Sequence, residues 1–433
     1  MLYPLSYVRA WTRTVPNFTI ARLHVQSIPP TIRTNAQTPS NLVNFAFSTD
    51  LGVRTLTPEP ATVTKSKPSR KDDSSGQTLP SQLLTKDQQL ELLMHLYLAR
   101  YFDVRLIKEK KKGRLTGTLY SSHNQEAIIA GSLYGLESDD WISPIHRDMP
   151  GFFLKDARKG LRDPNRMGMS IQEVCGQVWC KETSPGRARD NWSHIGSYAK
   201  RIIHSTSMLA GTIPVAAGVV LADRLNGKNS VVLTYNGEGS TAQGVFHEAI
   251  NFAAVHKLPV ITIIENNQWA YGTPTHLEYP LEDFARRADG FGIPGLVADG
   301  QDVFDVYDKV MWAVEYARAG NGPSIIECKT FRAYGHGDHD DDRAAKYRPG
   351  DNVEQGRARD PIAIAKAKLV ESGALTKAEA AQYSPEGKGA GQVSDDDFPP
   401  DVVAYLKEGV DAALKAGAPK AEEGGMWVFR EGN

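Results

Sequence analysis

An α/β fold is predicted, with a mostly parallel sheet flanked by helices on both faces. Three observations carry the prediction. Residues 231–235 and 259–264 are short apolar runs, the pattern of strands buried on both faces. Between them, residues 241–256 place Phe246, Ala249, Ile250 and Ala253 on one face at helical spacing. The alternation continues with a helical pattern at 304–319 and a strand pattern at 324–331. Strands separated by helices in this way make a parallel sheet wrapped on both sides.

Composition narrows the class. The 433 residues suffice for one large domain with extensions, or for two smaller ones. Apolar residues make up 41% and charged residues 23%, ordinary values for a soluble globular chain. A net charge of -1 supplies no bulk attraction to nucleic acid or to a membrane surface. Cys175, Cys180 and Cys328 cannot form a closed disulfide set, and the first two lack a Cys-x-x-Cys spacing. That fits a reducing compartment. The longest apolar stretch, 208–222, is interrupted by Gly211, Thr212, Pro214 and Gly218 and is too short to span a bilayer.

Along the chain, residues 1–49 hold Arg9, Arg13, Arg22 and Arg33, frequent Ser, Thr and Pro, and no acidic residue. They read as an organelle transit peptide or as a disordered leader, the latter including a translation start placed too far upstream. Residues 55–80 are rich in Pro, Ser, Thr and Lys and read as a linker. Residues 1–84 are therefore leader and linker. Regular structure is expected from Thr85, where Leu90, Leu93, Met94, Tyr97 and Leu98 repeat at helical spacing. The basic run 108–114 reads as a solvated helix end rather than a phosphate site. An Ala- and Gly-rich helix is expected at 208–225, ended by Asn226-Gly227. Residues 361–383 and 400–416 read as surface helices, and the Gly-, Asp- and Lys-rich segments 384–399 and 417–433 as loose. This gives a catalytic domain at 85–383, then a loop, terminal helix and tail at 384–433.

The chemistry concentrates in residues 231–267, one βαβ unit. Parallel strands bring their carboxyl ends to one edge of the sheet, where open α/β folds bind ligands. Gly237-Glu238-Gly239 lies just past the first strand, and Asn266-Asn267 just past the second. Glu238 and Asn267 are 29 positions apart, yet this topology lets them meet. The glycines permit a tight turn and close approach to a phosphate. The following helix, expected from Ser240 or Thr241, offers its N-terminal amides to an anion. A carboxylate and an amide oxygen are hard ligands suited to Mg2+, whose shell a diphosphate completes.

This pattern, Gly-acid-Gly followed after about 26 residues by Asn-Asn, resembles that of thiamine diphosphate enzymes. The runs NGEGSTAQGVFHEAINFAAVHKLPVITIIENNQWAYGTPT and FGIPGLVADGQDVFDVYDKVMWAVEYARAGNGPSIIECKTFR are similar to the alpha subunits of branched-chain and pyruvate dehydrogenase complexes. The resemblance covers roughly residues 85–415 and implies the thiamine diphosphate-binding fold. It also implies site roles. Glu238 and the Asn267 side chain would bind Mg2+, with the Trp269 carbonyl as third ligand. Gly237, Gly239 and Ser240 would line the diphosphate. Ser207 and Leu209, in TSMLAGTIP, match positions touching the aminopyrimidine and the cofactor's central bend. His146-Arg147 matches a Tyr-Arg pair gripping the diphosphate. The guanidinium of Arg147 suits that task, while His146 replaces the Tyr.

The segment RAYGHGDHD, 332–340, resembles the family's catalytic loop and places His336 near the reactive carbon. A proton carrier near neutral pH suits acyl transfer to lipoyl there. Arg332 and the following Tyr347-Arg348-Pro349 support the match; His339 has no counterpart. Animal members are silenced by phosphorylation of a Ser directly after this His. Here that position is Gly337, and the second such position is His339. The departure favours a bacterial, cytoplasmic setting, whereas the leader allows the mitochondrial matrix, and both remain open.

The implied activity is thiamine- and Mg2+-dependent oxidative decarboxylation of a 2-oxo acid. The acyl group then passes to a lipoyl-bearing acyltransferase core. The family's activating Glu comes from a beta subunit, so an α2β2 heterotetramer is expected, with neither nucleic acid nor membrane as partner. Gly-Glu-Gly, Thr273-Pro274-Thr275 and Asp340-Asp341-Asp342 point to 3-methyl-2-oxobutanoate. Glu265-Asn266-Asn267 keeps pyruvate and acetoin in play. Two rivals stand beside this reading. One is a metallohydrolase built on His336, Asp338, His339 and Asp340, which lacks an upstream His-x-His. The other is a binding subunit without catalysis, which the retained Glu238, Asn267 and His336 oppose.

Overall fold

The computed structural model describes residues 78–190, 192–340, 347–348 and 350–425. The leader and most of the linker expected at 1–84 lie outside these residues, as do Asp341, Asp342, Pro349 and the end of the tail.

The first helix, α1 (Lys86–Lys111), begins where the sequence predicts. The Thr85 hydroxyl accepts from the Gln88 amide, and the Gln88 side chain accepts from the Thr85 amide, a reciprocal cap. Lys108, Lys110 and Lys111 close its last turn, where cations oppose the helix dipole. Helix α2 (Glu126–Tyr134), strand β1 (Trp141–Ser143), α3 (Met149–Leu154) and α4 (Ile171–Val178) follow.

The helix expected from Met208 is α5 (Ile213–Leu225), five residues shorter at its start. Pro214 decides this, because proline is tolerated only in the first helical turn. Residues before it form turns, with Ala210 at φ 59°. Next come β2 (Val232–Gly237), α6 (Gly244–Val255) and β3 (Val260–Asn266). A two-stranded ribbon, β4 (Trp269–Ala270) with β5 (Thr273–Pro274), leads to β6 (Gly295–Asp299), α7 (Val303–Arg318) and β7 (Ser324–Lys329). The chain ends in α8 (Gly350–Ala358), α9 (Pro361–Glu371), α10 (Lys377–Gln382) and α11 (Pro400–Lys415). The helical region expected at 361–383 is thus two helices, broken around Gly373 at φ 70°.

Five strands form one parallel sheet in the order β1-β2-β3-β7-β6. Leu233, Tyr235, Ile261, Ile263 and Ile326 join one core with α1, α2 and α7. On the other face Val232 and Val260 meet Ala216, Ala217 and Val220 of α5, while Ile264 and Ile325 meet Phe246 and Ile250 of α6. The fold class read from the sequence is therefore the observed one.

Residues 384–399, expected to be loose, pack instead. Val393 and Phe398 are buried, and the Phe398 ring lies 4.8 Å from that of Tyr101 on α1. Helix α11, expected on the surface, buries Val402, Leu406, Val410 and Ala413 along one face. Its partner is α4.

Candidate functional site

Carboxyl ends of β2 and β3 meet at one edge of the sheet, and a cavity of about 430 Å³ opens there. Every residue to which the resemblance assigns a metal, cofactor or catalytic contact lines it: His146, Arg147, Ser207, Leu209, Gly237, Glu238, Gly239, Ser240, Asn267, Trp269 and His336.

The expected meeting of Glu238 and Asn267 occurs. Asn267 donates its backbone N–H to Glu238 Oε2 at 3.3 Å. Glu238 Oε1 and Asn267 Oδ1 are buried and have no hydrogen-bond partner among the described residues. Asn267 Nδ2 donates to Gln125 Oε1 at 3.4 Å, which assigns the amide oxygen to the other side. Burial, with Glu278 nearby, raises the Glu238 carboxyl to about 7. Two orphaned hard oxygens on a cavity wall fit a divalent cation. The Trp269 carbonyl accepts from Arg332 Nη1 at 3.2 Å and keeps a second lone pair.

The turn at the two glycines needs no left-handed backbone, since neither has a positive φ. A Cβ on Gly239 would lie 2.5 Å from the Ala270 Cβ, so the β4 ribbon requires that glycine. A Cβ on Gly237 would meet nothing within 4 Å, leaving a bare edge on the cavity. Ser240 Oγ donates to the Gly237 carbonyl at 2.6 Å. The helix expected from residue 240 or 241 begins at Gly244, after a 3-10 turn at Glu238–Ala242.

Arg147 is buried and donates to the carbonyls of Ser121 at 3.1 Å and His336 at 2.6 Å. Burial and Arg332 lower it to about 10, so it stays cationic. Burial and Arg147 push His146 well below the usual histidine range. Its ring centroid is 4.4 Å from that of Tyr120. Burial, Arg147 and Arg332 lower His336 to about 3. In the chain alone His336 is therefore a neutral imidazole, which corrects the expectation of titration near neutrality. Arg147 Nη2 lies 3.4 Å from His336 Nδ1. A guanidinium only donates, so Nδ1 accepts and Nε2 carries the proton.

The loop bearing His336 is stapled in place. Its backbone N–H donates to Asp340 Oδ2 at 2.7 Å, and Leu119 N donates to Asp338 Oδ1 at 2.6 Å. These acids hold backbone amides. Among the described residues no three His, Cys, Asp or Glu side chains converge, which removes the support for the metallohydrolase rival.

Sequence reasoning missed several wall residues. Tyr120 and Tyr271 flank His336, with ring centroids 5.3 and 4.6 Å away. Both sit in irregular segments that no periodicity marks. Glu265 was visible as the residue before Asn266-Asn267. Burial and its neighbour Asp148 push its carboxyl well above the usual range. His194 reaches the wall from an irregular stretch and carried no signal.

A parallel sheet whose strand ends open on a cavity with orphaned oxygens, a buried Arg and a neutral His defines a cofactor-binding enzyme chain. Comparison with known proteins narrows this. The profile described as "Dehydrogenase E1 component" matches residues 94–390. The 2-oxoisovalerate dehydrogenase subunit alpha of Bacillus subtilis (strain 168) is 34% identical over 295 residues, 68% of this chain and 85% of that protein. The pyruvate dehydrogenase E1 component subunit alpha of Rhizobium meliloti (strain 1021) is 32% identical over 324 residues, 75% of this chain and 88% of that one. The chain belongs to the dehydrogenase E1 component family, as an alpha subunit of a 2-oxo acid dehydrogenase.

Proposed function

We propose that this alpha subunit binds thiamine diphosphate through Mg2+ and decarboxylates 3-methyl-2-oxobutanoate, with the acyl group passing to lipoyl on an acyltransferase core. The observation that carries the reading is the pair of orphaned oxygens, Glu238 Oε1 and Asn267 Oδ1, on one cavity wall. They offer a carboxylate and an amide ligand to Mg2+, and the Trp269 carbonyl offers a third. The bare edge at Gly237 admits a phosphate, and Arg147 supplies the cation that faces it. Bound there, thiamine diphosphate supplies a nucleophilic carbon and an electron sink for loss of carbon dioxide. His336 holds its proton at Nε2 beside the cavity as a neutral imidazole, so it would donate a hydrogen bond to an oxygen of the bound reactants.

The cavity mouth supports a second subunit. Met208 is 74% exposed, Leu209 48% and Tyr271 48%. Val215 and Leu225 on α5, with Phe252 and Val255 on α6, continue this apolar surface away from the core. A beta subunit covering the mouth would bury these side chains and add the activating Glu that the resemblance assigns to it.

Thr273-Pro274-Thr275 and the likeness to the Bacillus 2-oxoisovalerate dehydrogenase subunit favour the branched-chain acid. Glu265-Asn266-Asn267 and the pyruvate-type relatives favour pyruvate as the second reading. Co-expression with the beta partner tests both. Decarboxylation should require thiamine diphosphate and Mg2+, with higher kcat/KM for 3-methyl-2-oxobutanoate than for pyruvate. Activity without thiamine would sink the proposal; preference for pyruvate would reverse the substrate assignment.

A further inference from the structure

Residues 193–207 run out and back beside β1 as a hairpin. Ser197 and Ile202 exchange backbone hydrogen bonds at 2.9 Å in both directions. Ile203 donates to the Ile142 carbonyl of β1 at 2.8 Å. Toward the cavity the pairing continues at Ser205, whose N–H donates to the Ile195 carbonyl at 3.0 Å and whose hydroxyl accepts from Ile195 N at 3.0 Å. Beyond that point side chains take over. His194 Nε2 lies 2.6 Å from Ser207 Oγ, and His194 Nδ1 lies 3.0 Å from Asp190 Oδ1. Both His194 and Ser207 line the cavity.

The donor and acceptor roles in this chain follow from chemistry. An ionised carboxylate only accepts, so Nδ1 carries the imidazole proton. In the neutral ring Nε2 is then a lone pair, and the Ser207 hydroxyl must donate to it. Its hydrogen is committed, and its oxygen lone pairs are left to face outward. We propose that Asp190 and His194 are positioning residues that hold the Ser207 hydroxyl as a hydrogen-bond acceptor at the cavity, set for an amino group on the ligand. The inference rests on the proposed function, in which that donor is the amino group of the cofactor's aminopyrimidine. Without His194 the hydroxyl rotates freely, and part of the population turns its hydrogen toward the ligand's own donor.

The test uses the alpha–beta complex and two readouts. The first is the affinity for thiamine diphosphate with Mg2+, followed by calorimetry. His194→Ala should weaken it about three- to tenfold, the range of one neutral hydrogen bond. Ser207→Ala should weaken it equally, and the double variant no further. His194→Gln, which can still accept the hydroxyl, should stay within about twofold of the parent. Added imidazole should restore His194→Ala but not Ser207→Ala. Additive losses, or rescue of neither or both, would overturn the relay. The second readout needs no cofactor: the rate at which diethyl pyrocarbonate acylates His194, mapped by mass spectrometry. Ser207→Ala should free Nε2 and speed acylation, and equal rates would also overturn the relay. A parent complex that fails to bind thiamine diphosphate would defeat the functional reading instead, while the acylation arm still decides the hydrogen-bond chain.

Discussion

Two buried polar clusters in this molecule differ in a way that separates structure from function. Around Arg100 every charge is answered. Its Nε pairs with Glu126, and Nη1 donates to Asp360 Oδ2 at 2.9 Å. Nη2 divides between Asp360 at 3.2 Å and Glu126 at 3.3 Å. Asp360 in turn accepts from Ile362 N at 2.9 Å and caps α9. This cluster ties α1, α2 and α9 together, and none of its three residues lines the cavity at the sheet edge. Around Glu238 the opposite holds: two oxygens, on side chains that line the cavity, are buried and unanswered among the described residues. A closed cluster stabilises the fold; an open one waits for a ligand.

The first way to break the comparison is Arg100→Met. It leaves two buried carboxylates without their cation, and a loss of about 3–5 kcal/mol is expected in denaturant unfolding. Stability retained within about 1 kcal/mol would mean that the cluster is not what holds these helices together. Glu238→Ala is the converse. It removes a carboxyl that has no ion-pair partner among the described residues, so stability should hold or rise. Binding of Mg2+ and thiamine diphosphate should fall by more than the roughly 10–100-fold typical of an outer-sphere partner. Retained binding would refute the metal assignment.

Acid and base separate the clusters with opposite signs. Burial alone would raise Asp360, but Arg100 overrides it and holds the carboxyl at about 2, below the ordinary 3.8. A depressed acid stabilises the fold above its unfolded pKa. That contribution, about 2 kcal/mol, should be lost as pH falls from about 4 through about 2. Glu238 is raised to about 7 from 4.5. Without cation it therefore disfavours the fold increasingly as pH rises from about 4.5 to about 7. Glu238→Gln should remove that slope and leave the acid limb intact. Stability curves of parent and variant that run parallel from pH 4.5 to 7 would contradict the assignment.

How much of this is legible in the sequence depends on where the constraint is local. The βαβ unit is readable because doubly buried strands write themselves as apolar runs. Its register sets Gly237 opposite Glu265, so one further step puts Glu238 level with Asn266 and within reach of the Asn267 amide. Strands β1 and β6 are not readable. The first has three residues, and the second, GLVAD, is an edge with Val297 exposed. Phe398 is anchored by Tyr101, far away in sequence, so the composition of 384–399 says nothing of its packing. The same holds for Tyr120, Tyr271 and His194, whose common wall is made only by tertiary structure.

The smallest expected effect probes the boundary between the two kinds of region, where a structural contact holds a functional loop. Asp338 N donates to the Leu119 carbonyl at 2.9 Å and pins the His336 loop against residues 117–119. That approach is close enough to need a glycine. A Cβ on Gly337 would lie 2.6 Å from Thr118 Cγ2 and 2.9 Å from the His339 ring. His339 is exposed and can swing aside, whereas the Thr118 carbonyl is held by Trp192 Nε1 at 2.7 Å. Gly337→Ala should therefore lift the loop rather than unfold the chain, at about 1 kcal/mol. His336 would move while Glu238 and Asn267 stay. Transfer to a lipoyl domain should then slow more than decarboxylation read with an artificial electron acceptor. If both rates change together, the glycine serves the fold as a whole and not the placement of His336.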